Sequence, residues 1–193
     1  MPERLRPDLS APAPRYSTLR FATVLGPMLA VSEWHQAIGD GGSDTSGTGG
    51  APRLHGLYFH DQQGRPESAD GVHPGDEAFL NTVACEVQAF LRGTRNEGRL
   101  RAIPLAVRGT LWQRLVWEQL RAVARGHTLS YLELARRLGR PQAVRAVAQA
   151  VGRNPWIILN PCHRVLGSDG SLTGFAAGLA RKRALLDLEA AAP

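Results

Sequence analysis

Residues 154–167 read NPWIILNPCHRVLG, and they carry the most informative pattern of this 193-residue chain. The apolar run 156–159 predicts a short buried strand. The run ends at a polar turn, stiffened by proline, that presents Cys162 beside His163 and Arg164. Two neighbouring cations favour a thiolate, so we expect a lowered pKa for Cys162 and a strong nucleophile at neutral pH. A structural cysteine that happens to precede a histidine explains the dipeptide equally well, so the longer pattern has to decide.

The composition is that of a globular protein with a basic surface. The chain has 23 Lys and Arg against 17 Asp and Glu, a formal charge of +6, and most of the basic residues are Arg, which suits contact with phosphate. Charge alone leaves both nucleic-acid binding and a merely solvated basic surface open. No stretch is long and apolar enough for a membrane span, and residues 1–14 lack the apolar core of a signal peptide.

The two cysteines, Cys85 and Cys162, lie far apart in the sequence. A single disulfide stays open, but nothing resembles a disulfide framework or a cluster of zinc ligands. We therefore expect free thiols and a cytoplasmic protein, and we assign no metal ligands, although metal binding by the N-terminal part stays open.

The first half of the chain predicts a small α/β domain. Residues 1–17 are expected to be disordered. Residues 19–32 predict a β-hairpin with its turn at 25–27, and residues 54–60 predict a further strand. Residues 39–50 are almost wholly Gly, Ser, Thr and Asp, which predicts a flexible insertion.

A helix is predicted from Asp76, as its N-cap, to about Arg92, because apolar residues recur there at helical spacing. Cys85 lies off the apolar face, and we interpret it as a small packing residue. A loop, 93–109, follows, and the composition shifts near Arg108. We place the domain boundary there, with an N-terminal domain at 18–108 and a C-terminal domain at 109–193.

The second half is predicted to be mainly helical. Thr110 caps a helix that reaches about Arg125. Its buried side is predicted to consist of Leu111, Trp112, Leu115, Val116, Leu120 and Val123.

Two shorter helices then predict a helix-turn-helix. Ser130 and Glu133 form a capping box at the first helix, Gly139 ends it, and Pro141 begins the second. Arg145 lies off the apolar stripe of the second helix, so it should point outward from the helix that meets DNA. A last helix is predicted over 178–189.

Short motifs in the second half, taken in their order and spacing, resemble one known family. They are GTLWQ at 109–113, SY at 130–131, AVRAV at 143–147, NP at 154–155, PCHRV at 161–165 and GF at 174–175. With these motifs the chain resembles the O6-alkylguanine-DNA alkyltransferases, also called methylated-DNA–protein-cysteine methyltransferases, over about residues 18–189.

The resemblance implies an α+β fold. A small N-terminal α/β domain with an antiparallel sheet and a helix would precede a mainly helical C-terminal domain with a helix-turn-helix and the active-site cysteine. A cysteine-rich metal-binding extension, found in adaptive-response relatives, is lacking, so the chain resembles the stand-alone repair form.

The resemblance also implies DNA repair by direct transfer. After base flipping, the alkyl group of O6-alkylguanine would move irreversibly to the protein's own cysteine, once per molecule and without a cofactor. O4-alkylthymine stays open as a second substrate. The partner would be double-stranded DNA, bound through its minor groove by a monomer. Two alternatives stay open, a non-catalytic alkyltransferase-like protein that binds the damaged base and an ordinary helix-turn-helix regulator.

Four residues match the family's catalytic positions. Cys162 would be the nucleophile and permanent alkyl acceptor. His163 would act through a water as its base, and Glu189 would orient His163, following the logic of a Cys-His-acid triad. Asn154 would order the strand and turn that carry the cysteine.

Further residues match the family's DNA-binding and pocket positions. Tyr131 would crowd the phosphate beside the target nucleotide, and Arg145 would fill the space that the flipped base leaves. The remaining expected DNA contacts are Ser130, Arg153 and Arg164. The expected pocket residues are Phe175, Ala176, Ala177 and Trp156.

Three departures from the family pattern stand out, the last of which covers two adjacent residues. Asn160 stands where an aliphatic residue is usual, and it could either add a hydrogen bond or weaken the packing. Phe175 replaces a usual tyrosine, so a hydroxyl donor is lost although the aromatic wall is kept. Ala176 and Ala177 replace smaller or polar residues and could narrow the pocket.

Overall fold

The computed structural model describes residues 14–34, 51–62, 64, 75–94 and 97–190. It has an N-terminal antiparallel sheet with a covering helix and a mainly helical C-terminal half, which confirms the predicted α+β fold. The predictions for residues 1–13 and 39–50 lie outside the described residues. No helix within the described ranges has the length and apolar content needed to cross a bilayer.

Three strands form the N-terminal sheet. They are β1 (Arg15–Phe21), β2 (Met28–Trp34) and β3 (Arg53–Phe59), in the order β1-β2-β3. The predicted hairpin is confirmed, because β1 and β2 pair antiparallel and a tight turn at Gly26 joins them. Alternate residues of β2 face opposite sides of the sheet. Met28 and Ala30 face the main core, whereas Leu29 and Val31 belong to a smaller cluster.

The helices follow in sequence. They are α1 (Asp76–Leu91), α2 (Gly98–Ala102), α3 (Leu111–Arg121), α4 (Tyr131–Arg137), α5 (Val144–Gly152) and α6 (Leu179–Ala190). A short parallel pair, β4 (Leu129–Ser130) and β5 (Val165–Leu166), joins the helix-turn-helix to the segment after the cysteine. Short 3-10 turns occupy Pro141–Ala143 and Cys162–Arg164.

The predicted helix-turn-helix is present as α4 and α5. At α4 the predicted capping box is confirmed, with the Ser130 hydroxyl accepting from the Glu133 amide and the Glu133 carboxylate accepting from the Ser130 amide. Gly139 adopts a left-handed conformation, with φ 68°, directly after α4. That conformation favours glycine and reverses the chain, so α5 can pack against α4.

The two halves of the chain share one core. Leu57 of β3 bridges to Trp156, and the Trp156 indole donates to the Leu54 carbonyl at 2.7 Å. Trp117 of α3 packs edge-to-face on Trp156, with ring centroids 5.4 Å apart. The segment before the cysteine is thus fixed by β3 on one side and by α3 on the other.

Several predictions for the N-terminal half are wrong. Arg15, Tyr16 and Ser17 are not disordered but belong to β1. Asp76 is not the N-cap of α1, because the cap is Gly75 and the Asp76 carboxylate accepts a hydrogen bond from Ser32 at 2.8 Å. The loop at 93–109 contains α2.

The solvent exposure of residues on α1 and α3 corrects two further predictions. Cys85 is exposed and not a packing residue, because it lies on the outer face of α1. Helix α3 ends at Arg121, earlier than expected. Leu111 and Leu115 are 66% and 42% exposed, so they lie off its buried side, which Val116, Trp117 and Leu120 form.

Candidate functional site

The turn before the cysteine is held by the side chain of Asn154. The prediction of a strand at 156–159 is wrong. This run forms a buried turn with a single bridge at Trp156. The Asn154 amide nitrogen donates to the Asn160 carbonyl at 2.8 Å, and its oxygen accepts from the Trp156 amide at 3.1 Å. Asparagine can brace backbone on both sides because its amide is both donor and acceptor.

The same turn contains a strained residue. Ile158 has φ 74° although it is not glycine. A β-branched residue in this conformation costs on the order of 1–3 kcal/mol and persists only where its surroundings over-determine it. Burial of Ile158 and the hydrogen bonds of Asn154 supply that constraint.

Cys162 lies at the end of the braced turn. Its amide donates to the Asn160 carbonyl at 2.7 Å, and its Sγ accepts a hydrogen bond from the Asn154 amide nitrogen at 3.1 Å. The thiol is 7% exposed. Burial raises the pKa of Cys162, while the Asn154 hydrogen bond and the charge of Lys182 act in the opposite direction without cancelling it.

The expected lowering of the Cys162 pKa by His163 and Arg164 is therefore wrong. Neighbours in sequence need not face the same way, and the side chains of His163 and Arg164 both point to Glu189 instead. His163 Nε2 lies 2.8 Å from Glu189 Oε1, and Arg164 Nε donates to Glu189 Oε2 at 2.8 Å.

Glu189 is the centre of a buried polar cluster. Burial alone would raise its pKa, but hydrogen bonds from His163 and Arg164 outweigh burial and lower the pKa to about 2. Glu189 is therefore ionised at neutral pH and accepts hydrogen bonds. Since His163 Nε2 then carries the proton it donates to Glu189, Nδ1 is the basic nitrogen, and it has no partner among the described residues.

Arg164 is a structural residue of this cluster. It is 1% exposed, and its N–H groups also reach the Val123 carbonyl at 2.6 Å and the Glu97 carboxylate. The prediction that Arg164 contacts DNA is wrong, because a buried guanidinium with these partners cannot reach a phosphate.

Lys182 is the functional candidate that the sequence analysis missed. It is the only lysine in the chain and is fully buried. Its Nζ donates to the Val165 and Thr173 carbonyls, each at 2.6 Å, and so ties β5 to the loop after it. Burial lowers the pKa of Lys182, and the nearby Cys162 raises it in part. Its position seven residues before Glu189 was the available signal, because that spacing puts both on one face of α6.

A cavity of about 600 Å³ opens above the cysteine. The helix-turn-helix forms one wall, the Cys162 turn forms the floor and the loop 167–176 forms the opposite wall. The lining residues are Gln62, Tyr131, Ala148, Val151, Gly152, Asn154, Ile157, Cys162, Gly167, Thr173, Gly174, Phe175 and Ala176. Among the described residues no group of three His, Cys, Asp or Glu side chains could hold a metal.

Of the expected pocket residues, Phe175 and Ala176 line this cavity. Trp156 does not, and the expectation for it is wrong, because its side chain lies in the core against Trp117. Ala177 is also absent from the lining and is buried in the core. The lining includes Tyr131, which was expected to contact DNA; burial raises its pKa, and a hydrogen bond with Thr173 opposes that rise.

The other expected DNA contacts lie on or beside the helix-turn-helix and do not line the cavity. Arg145 and Arg153 are exposed, at the start of α5 and just beyond its end. The Ser130 hydroxyl is engaged in the capping box of α4. The amide of Asn160 adds no hydrogen bond to the turn, because neither of its polar atoms has a partner among the described residues.

These features define a class of protein, in which a helix-turn-helix stands beside a cavity with a buried, braced cysteine on its floor. Comparison with known proteins agrees. Residues 111–191 match the family model described as 6-O-methylguanine DNA methyltransferase, DNA binding domain. The inducible methylated-DNA–protein-cysteine methyltransferase of Bacillus subtilis is 40% identical over 149 residues, which cover 72% of this chain and 82% of the relative. This chain belongs to the methylated-DNA–protein-cysteine methyltransferase family.

Further relatives agree. The methylated-DNA–protein-cysteine methyltransferase of Mycolicibacterium paratuberculosis is 42% identical over 138 residues, covering 72% of this chain and 81% of the relative. The crystal structure of Mycobacterium tuberculosis O6-methylguanine methyltransferase superposes with a TM-score of 0.72 at 31% identity, covering 93% of this chain and 95% of that one. The Mycobacterium tuberculosis OGT in complex with DNA gives a TM-score of 0.69 at 33% identity, with 92% and 94% covered.

The Glu189 cluster predicts a pH dependence of stability. The folded-state pKa is lowered from 4.5 to about 2, so its contribution is present above pH 4.5 and is lost as the pH falls towards 2. That shift corresponds to roughly 3 kcal/mol. We expect Glu189→Gln to lower the free energy of unfolding by roughly 3 kcal/mol at neutral pH. In the variant the free energy of unfolding should also fall less steeply between pH 4.5 and pH 2.

Urea unfolding at a series of pH values measures this effect. Asp187→Asn, an exposed change on the same helix, is the matched control and should leave the profile unchanged. An unaltered acid profile in Glu189→Gln would show that the carboxylate does not stabilise the fold through its charge.

Proposed function

We propose that this chain repairs DNA by moving the alkyl group of O6-alkylguanine to Sγ of Cys162 in one irreversible step. One observation carries the proposal: Sγ lies on the floor of a cavity that the helix-turn-helix borders, so a base swung out of DNA could reach it. Family membership supports the same reaction. O4-alkylthymine is a second substrate that fits the same chemistry.

The proposed reaction is a single displacement. The bond from Sγ to the alkyl carbon forms as the bond from that carbon to O6 breaks. The thiol proton passes through a water to His163 Nδ1, and the departing guanine gains a proton in turn, so no net charge is created. The product is a thioether that water does not cleave, so each molecule acts once.

The resting thiol is predicted to be neutral. Burial raises the pKa of Cys162, so the proton leaves only when a base and an acceptor are both in place. Lys182 opposes the effect of burial, and its charge would stabilise the thiolate as it forms. Glu189 keeps Nδ1 of His163 as the free basic nitrogen. We therefore assign Lys182 and Glu189 as positioning and electrostatic residues, and Asn154 as the brace of the nucleophile.

On the DNA side we propose minor-groove binding by α5 of a single copy. Arg145 is exposed in the first turn of α5, and Arg153 is exposed at its C-terminal end. Arg145 would fill the gap in the stack, and Tyr131, which lines the cavity, would press on the backbone beside the extruded nucleotide. In this proposal residues 109–193 form the reactive domain and residues 18–108 form its support.

We propose a cytoplasmic location because both cysteines are free thiols, and a reducing compartment preserves such thiols. A regulator built on the helix-turn-helix would leave the braced Cys162 and the His163–Glu189 pair without a role. A non-catalytic damage-binding protein would likewise need no thiol at the cavity floor.

The identity of the nucleophile is the first test. We expect Cys162→Ala to abolish alkyl transfer while binding to alkylated DNA persists, because the cavity and the helix-turn-helix remain. Cys85→Ala should transfer normally, because Cys85 is exposed on α1 away from the cavity lining. Intact-protein mass spectrometry with an O6-methylguanine duplex, followed by peptide mapping, reads the result. An alkyl group on Cys85 would refute the assignment.

Arg145 tests the proposed flipping mechanism. We expect Arg145→Ala to slow repair of duplex DNA by at least about tenfold, because a vacated stack then has no filler, a penalty of a few kcal/mol. Repair of the free base O6-methylguanine should change little, since it needs no extrusion. Single-turnover rates on both substrates measure this, with Arg92→Ala, an exposed change after α1, as the control. Equal slowing on both substrates would exclude a role for Arg145 in flipping.

Phe175 tests the chemistry at the leaving base. Its ring lines the cavity but cannot donate a hydrogen bond to the departing guanine. We expect Phe175→Tyr to speed the transfer step roughly five- to thirtyfold, for a regained hydrogen bond of about 1–2 kcal/mol, with DNA affinity almost unchanged. Rapid-quench time courses with methylated duplex compare the two proteins. An unchanged rate would mean that another donor serves the leaving base.

A further inference from the structure

Gln62 lines the cavity above Cys162, and the proposed reaction gives it no role. Among the described residues it is the only one from the N-terminal half in this lining. It lies in the turn that follows β3, and only 7% of the residue is exposed. The N-terminal half therefore contributes a polar side chain directly to the candidate site.

Hydrogen bonds in the turn after β3 fix the direction of the Gln62 side-chain amide. The Gln62 backbone amide donates to the Phe59 carbonyl at 3.0 Å, and the Phe59 backbone amide donates to Gln62 Oε1 at 3.3 Å. Because the Phe59 N–H has to meet the oxygen of the side-chain amide, Nε2 points away from the turn. Nε2 has no hydrogen-bond partner among the described residues, and it is not closed off from solvent. It is therefore a free donor that a molecule in the cavity can reach.

Free N–H donors are scarce among the described side chains of this cavity. The other lining side chain with an N–H group is Asn154, whose amide nitrogen already donates to the Asn160 carbonyl and to Cys162 Sγ. The Tyr131 hydroxyl is hydrogen-bonded with Thr173. Most of the remaining lining is apolar or glycine. Since a few polar groups in a mostly apolar pocket set its specificity, the one free donor favours a ligand with an acceptor opposite it.

Gln62 is held beside the loop 167–176. Its neighbour Asp61 forms a bidentate pair with Arg181, at 2.8 and 3.0 Å, and Arg181 also donates to the Ala177 carbonyl at 3.1 Å. The helix-turn-helix forms the opposite wall of the cavity, and in the proposed reaction the flipped base enters from that wall. Gln62 is thus on the side of the cavity away from the DNA.

From this free donor and its place, we infer that Gln62 determines which alkyl groups the protein accepts, favouring those with a hydrogen-bond acceptor beyond the transferred carbon. The inference rests on the proposed function, which puts the base on the side of the helix-turn-helix and the transferred carbon at Cys162 Sγ. The rest of a longer alkyl chain then extends towards Gln62 Nε2. An ether or hydroxyl oxygen accepts its hydrogen bond, whereas a hydrocarbon chain displaces water and leaves the donor unpaired. The cavity of about 600 Å³ has the size of pockets that hold drug-sized ligands, so such a chain fits.

A matched pair of substrates isolates this hydrogen bond. One duplex carries O6-(2-methoxyethyl)guanine and the other O6-butylguanine, whose alkyl groups have the same length and differ by an ether oxygen in place of a methylene. Single-turnover rates are measured on both, and the readout is the ratio of the methoxyethyl rate to the butyl rate in each protein. The intrinsic reactivity of the two groups cancels when ratios are compared between proteins, and so does any general loss of activity.

Two variants remove the donor. Gln62→Met keeps the length of the side chain, and Gln62→Glu also keeps an oxygen for the Phe59 amide. We expect each variant to lower the ratio about fivefold relative to wild type, which is the effect of one lost hydrogen bond. Gln88→Met is the matched control, because Gln88 lies on α1 outside the cavity lining, and its ratio should equal that of wild type.

The outcomes separate this inference from the proposed function. Wild-type protein that leaves O6-methylguanine in DNA unrepaired refutes the proposed function and the inference with it. Where wild type does repair O6-methylguanine, an unchanged ratio in both Gln62 variants overturns the inference alone. Failure of wild type to transfer either longer group also overturns it, as does an equal fall of the ratio in Gln88→Met. A fall confined to the two Gln62 variants supports it.

Discussion

The side-chain amide of Asn154 is the interaction on which the reactive turn depends. It bonds to backbone at Trp156 and Asn160, and it donates to the sulfur of Cys162. One buried amide thus sets both the shape of the turn and the position of the Cys162 sulfur, the proposed nucleophile. The left-handed Ile158 shows that the turn is held under strain, since a β-branched residue does not adopt φ 74° without such a constraint. Pre-organisation of this kind lowers the entropy that the chain must lose when substrate arrives.

Burial of Cys162 is the second feature that governs the chemistry proposed for it. A thiol 7% exposed resists ionisation, and the adjacent His163 and Arg164 do not help it because Glu189 engages both side chains. The groups that favour the thiolate are the Asn154 amide and the Lys182 ammonium, which the fold brings from elsewhere in the sequence. A protein that acts once gains from this arrangement, because a resting thiolate is the form that oxidants and stray electrophiles attack.

Local patterns in the sequence predicted the parts of the fold that local interactions determine. The hairpin, the caps at Thr110 and Ser130 and the glycine after α4 each depend on a few adjacent residues. The direction in which each side chain points could not be predicted from the sequence. Side chains next to each other can face opposite ways in a tight turn, so Arg164 and Trp156 were assigned to DNA and substrate although both lie in the core.

Lys182 shows the same limit of sequence-based prediction for a charged residue that is buried. Its charge predicts exposure on average, yet it shares the buried face of α6 with Leu185 and Glu189. Only the tertiary fold reveals what satisfies it, namely the carbonyls of Val165 and Thr173.

The reactive turn belongs physically to both halves of the chain. The Leu57 amide donates to the Pro155 carbonyl at 2.8 Å, so β3 supports the turn from the N-terminal side. Glu97, beside α2, pairs with Arg164 and thereby reaches the Glu189 cluster. Arg181 of α6 pairs with Asp61 and lies over Phe59, which fixes the helix that carries Lys182 and Glu189. The recognisable motifs all lie in the second half, but the geometry around Cys162 depends on contacts from the first half, which acts as a scaffold behind the turn.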